Sequence, residues 1–313
     1  MMREIESLFF ERFSEDVEVG ELPLVFILGS PRTGSTLIYQ IMINHFNLFW
    51  FSNFVNDYFA EFPVIGVALA LYLNSGSPVG YKSEYGKTEG YFGPSEGSLI
   101  FRNWFGGEHP SQTHSCKVLP GKVMHLISTM KSIYRITGQP ILAKNAWNCF
   151  RIQELSRLFP NIHFIWIRRD ISLSALSDLK ARYRRGGPTV WNSATTANYL
   201  EIQKRPYWEQ VVEQQYEYNE SIARDLDRFS QGQYVELWYE DVCEETGREL
   251  VKLSQYFASK SLPIIKVDMP IPSFSRSSVV DELEDDYSKI IGYISSNPDR
   301  FHNRIYGNVR IGD

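Results

Sequence analysis

The feature that most constrains the fold is a repeated alternation of short apolar runs with helical patterns. Four runs are nearly continuous in hydrophobicity, which is typical of parallel strands covered on both faces. They occupy residues 22–28, 140–143, 163–167 and 234–238. Helical spacing of apolar residues follows each run, over residues 33–46, 150–159, 172–183 and 247–257. This alternation predicts an α/β fold, a three-layer sandwich with a central parallel sheet flanked by helices.

Length and linker content favour a single domain over residues 1–313. The chain has 313 residues, 43% of them apolar, which is enough to bury a large core. No internal repeat, low-complexity segment or Gly/Ser-rich linker divides it. Residues 47–139 have less regular patterning and are rich in aromatic residues and glycine, so we expect a helical and loop insertion there.

Charge and cysteine content narrow the range of partners. The net charge is −5 and the pI is near 5.8, so nucleic-acid binding is not expected. Three widely spaced cysteines match neither a disulfide framework nor a zinc site, and we predict reduced thiols and no metal. The longest apolar stretch, residues 64–73, is too short to span a bilayer and predicts a buried helix. We therefore expect a cytoplasmic protein without a membrane span.

A glycine loop joins the first predicted strand to the first helix. It reads GSPRTGST over residues 29–36, with four residues between the glycines and two small polar residues after them. This is the spacing of a P-loop, in which backbone amides and a helix N-terminus converge on a phosphate. Ser35 stands where loops for nucleoside triphosphates have lysine, and positive charge sits earlier, at Arg32. This suits two joined anionic groups bound without a metal, with Arg32 forking onto one of them.

A second anion site is predicted at the end of the third strand. The run HFIWIRRD ends an apolar strand with Arg169, and Ser177 follows eight residues later in the next helix. Both side chains can face the crevice at the carboxyl end of the sheet, where ligands bind in such folds. One arginine and one hydroxyl suit a single phosphate group.

Together these motifs resemble those of sulfotransferases that use 3'-phosphoadenosine-5'-phosphosulfate (PAPS), in particular bacterial carbohydrate-type enzymes. LGSPRTGSTLI is similar to the family's 5'-phosphosulfate loop. Arg169 with Ser177 resembles its 3'-phosphate motif, although Ile171 stands where many relatives have proline. ILAKN looks like the family segment whose lysine, here Lys144, assists the transfer. LWYED, residues 237–241, resembles a family segment before a late helix, and structural roles are expected for its two acidic residues.

The resemblance implies a PAPS-dependent sulfotransferase (EC 2.8.2 type) that transfers a sulfuryl group to an acceptor hydroxyl and releases PAP. It favours a carbohydrate as the acceptor and leaves a lipid, an antibiotic or another small metabolite open, with residues 47–139 shaping the acceptor site. The residues it implies for PAPS binding are Arg32, Thr33, Gly34, Ser35, Thr36, Arg169 and Ser177. Two alternatives stay open, a P-loop kinase that uses ATP and a non-catalytic nucleotide-binding protein. The missing lysine of the loop argues against the kinase.

Transfer to a hydroxyl needs a general base within hydrogen-bond reach. The candidates are Glu96, Glu89, Asp57, His109 and His114. We favour Glu96, because YFGPSEG resembles a segment of carbohydrate-type sulfotransferases in which an acidic residue follows Gly-Pro. The expected catalytic residues are therefore Glu96, Lys144 and Arg32.

Overall fold

The computed structural model describes residues 1–74, 79–81, 83–84, 87–107, 116–276 and 283–301. Its helices are α1 Met2–Phe13, α2 Ser35–His45, α3 Asn53–Tyr58, α4 Pro63–Leu73, α5 Ser98–Phe105, α6 Val123–Thr137, α7 Ile152–Leu158, α8 Ile171–Arg184, α9 Tyr199–Ile202, α10 Tyr207–Phe229, α11 Tyr239–Glu244, α12 Thr246–Ser259, α13 Glu284–Ser295 and α14 Pro298–Phe301. Its strands are β1 Leu24–Leu28, β2 Phe49–Trp50, β3 Ser83–Glu84, β4 Lys87–Thr88, β5 Ile141–Lys144, β6 Ile162–Arg168 and β7 Tyr234–Trp238.

Five strands form a parallel sheet in the order β2–β5–β1–β6–β7. The central strand β1 pairs with both β5 and β6, so that Leu24 lies opposite Ile141 and Ile162. From β1 the chain first builds β2 and β5 on one side and then crosses to β6 and β7 on the other. The loop after β1 therefore lies where the strand order reverses, which is where open α/β sheets bind their ligands.

Successive residues of β1 enter different hydrophobic clusters, one on each face of the sheet. Leu24, Phe26 and Leu28 join a cluster that includes side chains of α5, α6, α7 and α10. Val25 and Ile27 join a second cluster with α2 and α12. Because helices cover both faces, every residue of β1 is buried, which explains the unbroken apolar run. The predicted α/β sandwich with a central parallel sheet is confirmed.

The edge strand β2 is an addition to the four predicted strands. It has two residues, Phe49 and Trp50, which pair with Ile141 and Leu142 of β5. A strand this short shows no periodicity that distinguishes it from the irregular residues around it. The four predicted strands are present with small shifts at their ends.

The apolar stretch 64–73 forms helix α4, but only its first half is buried. Residues 63–67 are enclosed, whereas Leu71, Tyr72 and Leu73 are 52%, 88% and 57% exposed. The prediction of a buried helix is therefore wrong for the second half of α4. Among the described helices, none is long and apolar enough to cross a bilayer.

The last helices are held against α8 and α10 by a third hydrophobic cluster and by buried carboxylates. Asp286 of α13 accepts hydrogen bonds from the hydroxyls of Tyr183 (2.9 Å) and Tyr207 (2.6 Å). Glu213 of α10 accepts a hydrogen bond of 2.6 Å from Arg300. Helix α13 thus supports the outer side of α8, the helix that carries Ser177.

Candidate functional site

The loop after β1 ends in an uncapped helix. Gly34 is the N-cap of α2 with a left-handed φ of +84°, and no side chain caps the helix there. The amide of Ile38 makes the first intrahelical bond, to the carbonyl of Gly34, so the amides of residues 35–37 precede the helical ladder. A Cβ at Gly34 would lie 2.3 Å from Cδ2 of Tyr239, so glycine is required by both backbone and space. The uncapped end of α2 can bind an anion.

Thr33 maintains the shape of the loop and does not line its cavity. Its hydroxyl donates to the carbonyl of Ser30 at 2.8 Å, and the side chain is buried. Gly29 sits so close to β6 that a Cβ would lie 2.9 Å from the carbonyl oxygen of Ile167. Beneath the loop, the Sγ atom of Cys149 lies 3.4 Å from both the nitrogen and the oxygen of Gly29. Burial raises the pKa of this thiol to about 12, so it is protonated at neutral pH.

Arg32 directly links the two predicted anion sites. Its backbone is left-handed, with a φ of +68°. Its Nε donates to Oγ of Ser177 at 3.2 Å, and its carbonyl accepts from Nη1 of Arg169 at 2.9 Å. Gln215 of α10, which is fully buried, donates to the carbonyl of Pro31 at 3.0 Å. The left-handed turn at Arg32 is therefore held by partners on both sides.

Arg169 follows β6 and is held by the start of α11. Its guanidinium lies 4.5 Å from the ring centroid of Tyr239, and its burial lowers its pKa. Asp170 caps α8 by accepting from the amides of Ser172 and Leu173, and its own amide donates to Glu240. Tyr239 and Glu240 thus support the strand end that carries Arg169.

Lys144, at the end of β5, brings a cation to the loop from a neighbouring strand. It is 7% exposed, and its Nζ donates to Oγ1 of Thr36 at 3.2 Å and to the Glu96 carboxylate. The backbone of Glu96 is held by Asn145, whose amide donates to the Glu96 carbonyl at 3.1 Å. The structure therefore brings Glu96, Lys144 and Thr36 together, although long stretches of sequence separate them.

The other candidate bases do not share this position. Glu89 and Asp57 are exposed and are not among the residues lining the cavity at the loop. His109 and His114 lie outside the described residues.

A cavity of about 630 Å³ joins these groups, a volume within the usual range for small-molecule sites. Six cationic side chains line it, and among its described lining residues Glu96 is the single carboxylate. These cations are Arg32, Lys144, Arg169, Lys180, Arg184 and Arg185. Such a lining favours a ligand with several negative charges.

Three of those cations were not predicted from the sequence. Lys180 and Arg184 follow Ser177 at i+3 and i+7, so they share its face of α8, and Arg185 comes directly after the helix. This spacing is visible in the sequence once Ser177 is placed. Trp147 and Gln215 were also missed, and no sequence signal points to either. Among the described residues, no group of three or more His, Cys, Asp or Glu side chains could hold a metal ion.

Comparison with solved structures finds the same fold in a bacterial sulfotransferase. The chain matches sulfotransferase STF9 from Mycobacterium avium with a TM-score of 0.51 and 12% identity, over 95% of this chain and 74% of that one. For sulfotransferase STF1 from Mycobacterium tuberculosis the TM-score is 0.45 with 11% identity, over 97% and 80% of the two chains. For a sulfotransferase from Alicyclobacillus acidocaldarius it is 0.44 with 11% identity, over 89% and 96%. No curated protein sequence gives a significant match.

The family comparison covers more than half of the chain. A model described as "Sulfotransferase family" matches residues 96–258. The matched stretch begins at Glu96 and contains Lys144, Arg169 and Ser177, while the glycine loop lies before it. The chain therefore belongs to the sulfotransferase family.

Proposed function

We propose that this sulfotransferase takes the sulfuryl group from PAPS and transfers it to an acceptor hydroxyl. One observation carries the proposal: Arg32 contacts both parts of a second anion site, Arg169 and Ser177, inside the cavity where Lys144 meets Glu96. PAPS needs two separate anion sites, for its 5'-phosphosulfate and its 3'-phosphate. A nucleotide without the 3'-phosphate would leave the second site unused.

The residues present fit such a donor. Ser30 lines the cavity, and its buried Oγ atom has no hydrogen-bond partner among the described residues. The N-terminus of α2 has no side-chain cap, and six cations surround the space. Buried donors of this kind are satisfied when an anion accepts from them. Bound PAPS would supply an activated sulfuryl group on a phosphate leaving group.

In this mechanism the anion-site residues bind PAPS, and Glu96 and Lys144 take part in the transfer itself. The amides of residues 35–37 and Arg32 bind the phosphosulfate, and Arg169 with Ser177 binds the 3'-phosphate. Glu96 accepts the proton of the acceptor hydroxyl as its oxygen bonds to sulfur and the bond from sulfur to the bridging oxygen breaks. Protonation neutralises Glu96 and weakens its hold on Lys144, which stabilises the charge that develops on the departing phosphate.

The proposal includes the organisation of the chain. Residues 1–313 form one catalytic domain in which residues 47–139 shape the acceptor side, because this segment delivers Glu96 to the cavity. The acceptor presents a hydroxyl, and a carbohydrate or small metabolite remains our prediction for it. All three cysteines are free thiols, which supports a reducing compartment such as the cytoplasm.

The test is calorimetric titration of the protein with PAP in EDTA, with adenosine 5'-monophosphate and ATP as controls. We expect micromolar binding of PAP and binding at least tenfold weaker for both controls, because only PAP fills both anion sites. Binding of ATP that requires Mg²⁺, without preference for PAP, would replace the sulfotransferase mechanism by that of a kinase. Tight PAP binding without turnover of PAPS on any of a broad set of hydroxyl compounds would indicate a non-catalytic protein.

A further inference from the structure

A second cavity, a groove of about 510 Å³, runs beside the edge strand β2. Apolar side chains dominate its walls, among them Phe49, Trp50, Val67, Leu71 and Met269. None of the described residues that line it carries a charge. This is the opposite of the cationic cavity at the loop, so the groove suits an uncharged, apolar ligand.

The groove extends from the amino end of the sheet to its carboxyl end. Gln139, which precedes β5, lines the part at the amino end, which we call the lower part. Ser52, which follows β2, and Phe92 line the upper part, at the carboxyl end. Residues 47–52, which include β2, span at most about 17 Å at the rise of a β-strand. The groove therefore follows the sheet edge over several residues, which suits an extended chain.

The upper end of the groove adjoins the segment that carries Glu96. Ser52 forms an antiparallel bridge with Pro94, and the amide of Ser95 donates to the carbonyl of Phe51 at 2.7 Å. Glu96 is two residues beyond Pro94, about 7 Å along an extended backbone. The groove and the cationic cavity therefore adjoin the same segment, in which Phe92 lines the groove and Glu96 lines the cavity.

The exposed end of α4 forms one rim of the groove. This helix has no charged residue, and helices that are apolar all round are normally buried. Its second half nevertheless reaches solvent, where Leu71 is 52% exposed, and Met269, which also lines the groove, is 38% exposed. Apolar side chains gathered around a groove mark a binding surface.

We propose that the groove binds an alkyl or acyl chain of the acceptor, whose hydroxyl end reaches Glu96. The inference rests on the proposed function, because it assigns the groove to the second substrate of the transfer. The uncharged walls exclude an anionic or cationic body, and their few polar groups leave most hydroxyls of a free sugar unpaired. The acceptor is therefore an amphiphile with a hydroxyl-bearing head, and a carbohydrate head with an apolar tail satisfies both sites.

The test uses alkyl β-glucosides from hexyl to nonyl, below their critical micelle concentrations, titrated into the full-length protein saturated with PAP. Because the glucose head is the same in every compound, differences in affinity come from the length of the alkyl tail. We expect the affinity to rise about fourfold with each added methylene, the gain for one buried CH₂ group. In Leu71→Asp the rise disappears, because each longer tail would contact a carboxylate. Tyr72→Asp is the matched control, since Tyr72 is 88% exposed on the same helix and outside the groove, and its series should follow the wild type.

Met269→Asp changes a second lining residue of the groove, so that the result does not depend on the folding of one variant. Equal affinity from hexyl to nonyl, or the same rise in both aspartate variants of the groove, would overturn the inference. PAP binding without any chain-length effect refutes the groove and leaves the donor site intact. A chain-length effect without PAP binding supports the groove and refutes the proposed donor site. A dimer in sedimentation that Leu71→Asp dissociates, without a chain-length effect, would assign the groove to a second copy of the chain.

Discussion

The cationic cavity and the apolar groove are both lined by residues of the short segment 92–96, yet they differ in how they were built. The cavity takes its cations from the loop after β1, from the ends of β5 and β6, and from α8 and the residue after it. The groove takes its walls from the sheet edge, from α2, α3 and α4, and from loop residues that include 79, 92, 139, 267 and 269. The cationic groups thus lie at the sheet termini and the apolar groups in the surrounding segments, so the two regions can be altered separately.

The largest effect is expected at the boundary of the two regions. In Glu96→Gln the acceptor hydroxyl loses its proton acceptor, and kcat should fall by about two to four orders of magnitude while PAP affinity stays within a few-fold. Rates are measured with an acceptor found by screening hydroxyl compounds. Glu89→Gln, at an exposed carboxylate seven residues before Glu96, is the control and should keep wild-type turnover. An active Glu96→Gln enzyme would remove Glu96 from the mechanism.

A smaller loss is expected when charge is removed on the donor side alone. Arg32→Ala should lower PAPS turnover by about two to three orders of magnitude, because one preorganised donor to the developing charge is lost. The length dependence of glucoside binding should survive, since Arg32 does not line the groove. Arg12→Ala, at an exposed arginine of α1, provides the control for loss of charge. Turnover close to wild type in Arg32→Ala would contradict the role of this arginine.

A residue outside both regions, His163, is expected to affect the free energy of unfolding and not ligand binding. His163 of β6 is buried against the hydroxyl of Tyr256 at 2.8 Å, and burial, aided by the charge of Lys260, lowers its pKa to about 4. Because the unfolded chain protonates this imidazole near pH 6.5 and the folded chain does not, stability is greatest above pH 6.5 and falls toward pH 4.

The wild type should therefore lose about 2–3 kcal/mol of unfolding free energy between pH 7.5 and pH 4.5 through this residue. His163→Gln, which does not titrate, should lack that part of the loss in urea unfolding at the two pH values. Equal acid sensitivity of both proteins would show that His163 is protonated in the folded state.

The smallest effect is expected at Ser177, where a substitution distinguishes the 3'-phosphate site from the phosphosulfate site. Ser177→Ala should weaken PAP binding about tenfold, the value of one hydrogen bond to a charged group, and leave adenosine 5'-monophosphate unaffected. Ser174→Ala is the matched control, because its hydroxyl donates to the carbonyl of Ile171 within the same helix. Equal weakening of both nucleotides in Ser177→Ala would place Ser177 outside the 3'-phosphate site.

Prediction from sequence matched the structure where neighbouring residues decide the conformation of the chain. The loop at residues 29–36 has its glycines where φ and space require them, and Arg169 and Ser177 follow a strand that its own apolar run identifies. It failed for β2, which has two residues and no period, and for the second half of α4, whose composition indicated burial. Composition indicates whether a side chain favours burial. Whether it is in fact buried depends on which distant segments pack against it.

The sequence by itself determined the α/β order of the chain, the spacing of the loop and which side chains we propose to bind the anions of the donor. Only the tertiary structure decided that Arg32 contacts Ser177, that Lys144 reaches both Thr36 and Glu96, and that an uncharged groove adjoins the segment that carries Glu96. The physical reason is sequence separation. Glycine turns and helix starts depend on a few neighbouring residues, while these contacts join residues from 48 to 145 positions apart and form only when the sheet brings its strand ends together.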